Sequence, residues 1–187
     1  VNLKKRYEFL VAYAGAHGLA NALDVLLDAA LILKNDKVGV VLIGPGPEKE
    51  RLKQYSRDKG IDNVYFFDPV PKYEIPSLLN LFDALYIGLQ KESLFRFGIS
   101  PNKIFDYMMA AKPIIQAIDA GNNLVREADC GVYAEAGNVE ETAQAIRYLK
   151  SLSAGERERL GENGKAFVLE NHTYNILAQK FLDAISY

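Results

Sequence analysis

Apolar residues in this chain come in short unbroken runs, separated by stretches in which they recur every three or four positions. The runs are Glu8 to Ala14 (EFLVAYA), Val38 to Ile43 (VGVVLI), Val64 to Phe67, Ala84 to Leu89, Pro113 to Ile118 and the minimal Val132-Tyr133. Each is short and edged by turn-forming residues, so each predicts a strand. Leu23, Leu26, Leu27, Ala30 and Leu31 fall on one helical face and predict a helix from about Ala20 to Lys34. Further helices are predicted over Glu48–Lys59, Tyr73–Phe82, Pro101–Ala111, Leu124–Ala128, Glu140–Leu152, Glu156–Glu170 and Tyr174–Ile185. Strands that are continuously apolar are buried on both faces, as in a parallel sheet. Their alternation with helices predicts an α/β, doubly wound (Rossmann-like) parallel sheet of about six strands, with helices on both faces. No strand follows the last two helices, which are expected to wrap the side of the sheet. No repeat or low-complexity linker divides the chain, so residues 1–187 are expected to form a single domain.

Ligands of such sheets bind beyond the carboxyl ends of the strands. Attention therefore falls on the loops Gly15 to Asn21, Gly44 to Pro47, Asp68 to Tyr73, Gln90 to Lys103 and Asp119 to Asn123. The most informative stretch is FGISPNKIFDYMMAAKPII, from Phe97 to Ile115. Ser100 is placed to cap the predicted helix, with Pro101 at its first position. The unpaired N–H groups of that first turn, with Asn102 beside them, suit an anion. Lys103 lies in the same turn, where a cation opposes the helix dipole unless something negative binds. Asp106 follows one turn deeper, roughly on the same face. One helix start thus offers donors and an ammonium for phosphate and a carboxylate for hydroxyls, as a nucleoside diphosphate requires. A capped helix with a solvated Lys and Asp is the plain alternative.

The other loops carry weaker signals. In Gly15-Ala16-His17-Gly18 two glycines let the backbone approach a ligand, but the third Gly and the acidic partner of a dinucleotide fingerprint are missing. His17 could bond a ligand oxygen or serve as a surface or supporting residue, and His172 reads as structural. Gly44-Pro45-Gly46-Pro47 is mostly turn chemistry. Arg96 could reach a phosphate bidentately or simply be solvated. Asn122 and Asn123 suit a helix start.

Composition narrows the classes. The chain is 49% hydrophobic and 25% charged, with a net charge of −2, so no global basic field favours nucleic acid. Cys130 is the sole cysteine; no internal disulfide can form, and its apolar setting predicts a buried thiol. Two distant histidines and no paired cysteines make no metal site. No apolar run approaches the roughly 20 residues of a membrane span, and no signal peptide is visible. The start at Val1 suggests a domain of a longer protein.

Together, YAGAHGLANALDVLLDAA (Tyr13 to Ala30), VVLIGPGPEKERL (Val40 to Leu52), VPKYEIPSLLNLFDALYIGL (Val70 to Leu89) and the Phe97 to Ile115 stretch resemble a known family. They are similar to the C-terminal, donor-binding domain of retaining glycosyltransferases of the GT-B fold, of the bacterial polysaccharide-assembly type. The resemblance spans nearly the whole chain. It implies a hexosyltransferase-like enzyme that moves a sugar from a nucleoside diphosphate sugar, a UDP-sugar by preference, to a glycan or lipid-linked acceptor of capsule or lipopolysaccharide. It implies no metal cofactor, and an acceptor site on an N-terminal domain that this chain lacks. The location implied is cytoplasmic, with any contact with the inner membrane made through the full-length protein.

The family carries two Glu separated by seven residues. Counted back from Pro113, the second falls on Asp106, which would hold the ribose, and the first on Gly98, where no carboxylate stands. The usual Arg and Lys of the first loop fall on Ala16 and Asn21. Phosphate binding would then rest on Gly15, His17, Gly18, Arg96, Ser100, Asn102 and Lys103. The base would lie on Val70, Pro71 and Lys72, in the Asp68 to Lys72 loop, held largely by main-chain groups. No catalytic residue is implied in this half. A GT-B sugar-nucleotide epimerase is the alternative, with only His17 and Glu92 as acid/base candidates. A non-catalytic receiver-like module would want an acidic cluster where the chain has Ala14-Gly15-Ala16.

Overall fold

All six apolar runs form strands. The computed structural model describes residues 2–185 of the chain. A single turn, α1 (Leu3–Arg6), leads into β1 (Phe9–Ala14), followed by α2 (Leu23–Ile32), β2 (Val38–Ile43), α3 (Lys49–Asp58), β3 (Val64–Phe67) and the short α4 (Ile75–Leu79). Then come β4 (Ala84–Gly88), α5 (Asn102–Met109), β5 (Ile114–Ala117), α6 (Leu124–Glu127), β6 (Gly131–Ala134), α7 (Val139–Ser151), α8 (Ala154–Asn171) and α9 (Tyr174–Ile185). The strands make one sheet in the order β3-β2-β1-β4-β5-β6, and every pairing is parallel. The winding reverses between β1 and β4, so the crevice of a doubly wound sheet opens there.

Two apolar layers sandwich the sheet. One joins Leu23, Leu26 and Leu27 of α2 to Ile146 and Leu149 of α7; the other joins Ile104, Tyr107 and Met108 of α5 to Val168 of α8. Every residue of β1, β2, β4 and β5 is buried, which is why those segments read as unbroken apolar runs. Cys130 lies in the second layer, and burial pushes its thiol up to about 12. Because α4 has only five residues, it leaves part of the β2–β3 face uncovered, beside an apolar groove of about 920 Å³.

Three local expectations are corrected. Pro101, not Ser100, occupies the cap position of α5, and no side chain caps it. The helix expected from Ala20 starts at Leu23, because residues Leu19–Asn21 form a 3-10 turn and Ala22 turns left-handed at φ 47°. Of the two closing helices only α8 packs onto the sheet's layers. No residue of α9 is buried, and Leu177, Phe181 and Ile185 are exposed.

Candidate functional site

β1 and β4 pair only through Val11 with Ala84 and Ala12 with Leu85. Beyond that point the strands part, and Ala14 has no ladder partner on the β4 side. Tyr107 of α5 fills the gap: its hydroxyl accepts from the Ala14 N–H at 2.8 Å and donates to the Ala14 carbonyl at 3.1 Å. The second turn of α5 is thereby pinned to the end of β1. One turn earlier on the same helix, Lys103 reaches the same place. Its Nζ donates to the Tyr13 hydroxyl at 2.6 Å and to Asn21 Oδ1 at 3.2 Å, and lies 4.3 Å from the centre of the Tyr13 ring. A side chain on Gly15 would meet that Nζ at 2.9 Å, so glycine leaves the ammonium its space. Desolvation lowers the Lys103 pKa to about 8. None of its partners is a carboxylate, so the cation is held without being neutralised.

The first loop is fixed from below. The His17 N–H donates to the Pro45 carbonyl at 2.6 Å, and the His17 carbonyl accepts from the Glu48 N–H at 3.0 Å. A Cβ on Gly44 would stand 2.1 Å from the Gly15 oxygen. The Gly44-Pro45-Gly46 loop is therefore the bearing of the Gly15–Gly18 loop, a role its composition did not announce. The His17 ring is fully buried, near Tyr13 and Phe66. Neither ring nitrogen has a hydrogen-bond partner in the protein. Burial lowers its pKa to about 4, and the charges of Lys49, Lys103 and Lys53 add to the effect. His17 thus faces the interior as a neutral ring, with its main-chain groups already engaged; it is not the surface residue that was one of its readings.

The remaining candidates divide around this centre. Asp106 is exposed, and its carboxylate makes no hydrogen bond or ion pair among the described residues; it does not pair with Lys103. Ser100 and Asn102 are exposed at the start of α5, and Gly18 is half-buried. At the end of β3, Lys49 holds the neighbouring loop by donating to the Phe67 carbonyl at 2.8 Å and to Asp68 at 2.9 Å. That loop carries Val70, Pro71 and Lys72, the last two exposed. Arg96, in the 3-10 turn Ser93–Phe97, lines a separate hollow with Gly98, Ser100 and Asn122. Asn123 caps α6 as expected, accepting from the Arg126 N–H. Asn122 does something else: its amide accepts from Ile99 N–H at 2.8 Å and donates to the Ile99 carbonyl at 2.9 Å. The sequence does not disclose Tyr13 and Tyr107, because each sits in an apolar pattern and reads as core. The polar end of each aromatic at the mouth of the sheet is the signal that could have found them.

The ends of β3, β1 and β4 thus carry, along one edge, a loop held by Lys49, a glycine turn around an ammonium, and an uncapped helix start with a free carboxylate. Comparison with known proteins bears on that arrangement. The chain is 26% identical over 158 residues to WcaI of Escherichia coli (strain K12), named as a glycosyl transferase of colanic acid biosynthesis; the match covers 81% of this chain and 35% of WcaI. The chain thus spans about a third of that relative's length. Among solved structures, Anabaena HepE in complex with UDP-glucose superposes with a TM-score of 0.75 at 19% identity, over 95% of this chain and 48% of HepE. The C-terminal domain of LpcC, a glycosyl transferase group 1 protein of Francisella tularensis, gives 0.72 at 20% identity, over 91% of this chain and 90% of that domain. The fold is therefore that of a GT-B C-terminal domain. Residues 8–151 match the family described as glycosyl transferases group 1, and the chain belongs to that family.

Proposed function

We propose that this chain is the donor-binding half of a retaining glycosyltransferase of cell-surface polysaccharide assembly. Its donor is a nucleoside diphosphate sugar, with UDP as the nucleotide, and its acceptor is a glycan or lipid-linked sugar held by an N-terminal domain. The observation that carries this reading is Lys103, fixed at the β1/β4 crevice by Tyr13 and Asn21 with no carboxylate to neutralise it. A diphosphate laid between Gly15, Gly18 and the first turn of α5, at Ser100 and Asn102, supplies the missing negative charge. The uncapped N–H groups of that turn add donors.

Asp106, free and exposed one turn on, accepts from the ribose hydroxyls, since an ionised carboxylate takes donors and would repel the diphosphate. The base lies at Val70, Pro71 and Lys72. When the sugar–phosphate bond breaks, the bonding pair leaves with the diphosphate, and Lys103 and the α5 donors stabilise that charge. They are in place before the reaction, so no reorganisation opposes them. The acceptor hydroxyl attacks from the face the diphosphate leaves and gives its proton to the departing phosphate oxygen, which retains the anomeric configuration. HepE, of like fold, was solved with UDP-glucose, which supports the choice of UDP.

The test is ligand-observed NMR of this chain with UDP, GDP and ADP, followed by an assay for transfer from UDP-sugars. We expect saturable binding of UDP above the other two, and no transfer without the acceptor domain. Failure to bind any nucleoside diphosphate sinks the donor reading; transfer by this chain alone sinks the division of labour.

A further inference from the structure

We infer that the hollow beside Arg96 seats the donor's sugar and that Arg96 selects a sugar bearing a carboxylate, a hexuronic acid. This rests on the donor reading above. The strand order places the loops along the carboxyl edge of the sheet. The base loop follows β3, the glycine turn and Lys103 stand at β1 and β4, and the Gly121–Asn122 turn follows β5. A nucleotide laid along this edge with its base at β3 and its diphosphate at β1/β4 brings its far end toward β5. There the structure has a hollow of about 490 Å³, between the Ser93–Phe97 turn and Gly121–Asn122, ample for one hexose ring.

The lining of this hollow is chemically one-sided. No acidic residue lines it. Gly98 contributes no side chain. The Asn122 amide is spent at both ends on the Ile99 backbone. The Gly98 and Gly121 N–H groups both donate to the Phe95 carbonyl. Among the side chains, what remains is the Ser100 hydroxyl and the Arg96 guanidinium, beside main-chain carbonyls. Arg96 forms no ion pair with any described residue; it lies over the Phe97 ring, 4.7 Å from its centre. Main-chain carbonyls can accept from the hydroxyls of any hexose, but the one charged side chain of this wall is a cation with no anionic partner among the described residues, so the charge it lacks must come from the ligand. A carboxylate on the sugar matches the two parallel donors of a guanidinium, the pairing that arginine geometry favours. The aromatic ring beneath Arg96 holds the fork without neutralising it.

Calorimetric titration of the chain and of Arg96→Gln with UDP, UDP-glucose and UDP-glucuronate tests this. Arg96 is exposed, so the variant keeps its fold, and a matching thermal melt confirms that. We expect the wild type to bind UDP-glucuronate about tenfold or more tighter than UDP-glucose. Arg96→Gln should erase that ratio while leaving UDP within about twofold of wild type. Equal affinity for the two sugars in the wild type overturns the inference and leaves the donor reading intact. So does a variant that weakens all three ligands alike, which puts Arg96 on the diphosphate. No binding of UDP by the wild type removes the donor reading, and this inference falls with it.

Discussion

Lys103 is the residue on which the electrostatics of the site turn. Its pKa of about 8 reflects desolvation by the protein that surrounds it, so in the free chain the ammonium begins to lose its proton just above neutrality. A diphosphate within reach favours the charged form and draws a proton back. UDP affinity should therefore fall as pH rises through 8, and binding near pH 8 should take up protons. Titration in buffers of different ionisation enthalpy measures that uptake. Uridine is the control: the base ionises alike in both ligands, and uridine has no charge for Lys103 to meet. Lys103→Ala should abolish the uptake and weaken UDP by about 1.5–3 kcal/mol, with uridine little changed. Equal losses for both ligands would make Lys103 a prop for the loop rather than a phosphate contact.

At the scale of elements, the site is made by loops that brace one another. The first loop hangs on the second through His17 and through the contact of Gly44 with Gly15. In Gly44→Ala a Cβ would stand 2.1 Å from the Gly15 oxygen, on a residue at φ +143°. The variant should lose about 3 kcal/mol of stability, read as a lower urea midpoint at unchanged slope. Gly155→Ala is the contrast: its Cβ meets nothing within 4 Å, and in helix α8 it should be as stable as wild type or up to about 1 kcal/mol more so. A Gly44→Ala chain as stable as Gly155→Ala would mean that the two loops move independently. This bracing also marks the limit of what the sequence discloses. Four strands were legible because full burial writes itself as an unbroken apolar run; β3, no residue of which is buried, was legible from its apolar composition, and β2 and β3 fall on the expected bounds. The carboxyl-edge loops followed from the parallel order. The contacts that fix them did not, because Lys103 finds Tyr13 and Asn21 at separations of 90 and 82 residues, and no local pattern encodes a partner so distant. α5 starts one residue later than its pattern predicts, for a local reason. Ser100 has the chemistry of a cap, but Pro101 takes that position with an extended backbone, ψ 117°. This leaves the first turn uncapped.

For the whole molecule, the consequence of this architecture is a dependence of stability on acid. The chain buries one imidazole completely at the mouth of its sheet, with no protein partner for either nitrogen. Three lysines act on it from two directions: Lys49 and Lys53 from α3, and Lys103 from α5. Burial is the larger cause of its low pKa and the lysines the smaller, but both act against the charged ring. In the folded chain the pKa is about 4; in the unfolded chain it returns to about 6.5. Between those values the unfolded state holds a proton that the folded state refuses. Stability is therefore complete above pH 6.5 and falls as pH drops toward 4, by about 3 kcal/mol across the window. Carboxylates held low by their partners, such as Asp68 beside Lys49 and Glu135 beside Lys91, act in the same direction but at lower pH. Their contribution persists above the unfolded carboxylate range and is lost only below it, so the window from 6.5 to about 4.5 belongs mainly to the imidazole. Urea unfolding at half-unit steps of pH, on wild type and His17→Phe, separates the two. Whatever the ring replacement does to absolute stability, the variant should show a flat profile from pH 6.5 to 4.5 and then the same acid limb as wild type. Parallel profiles for the two proteins would mean that His17 is protonated in the folded chain, and the neutral ring beneath the first loop would have to be given up.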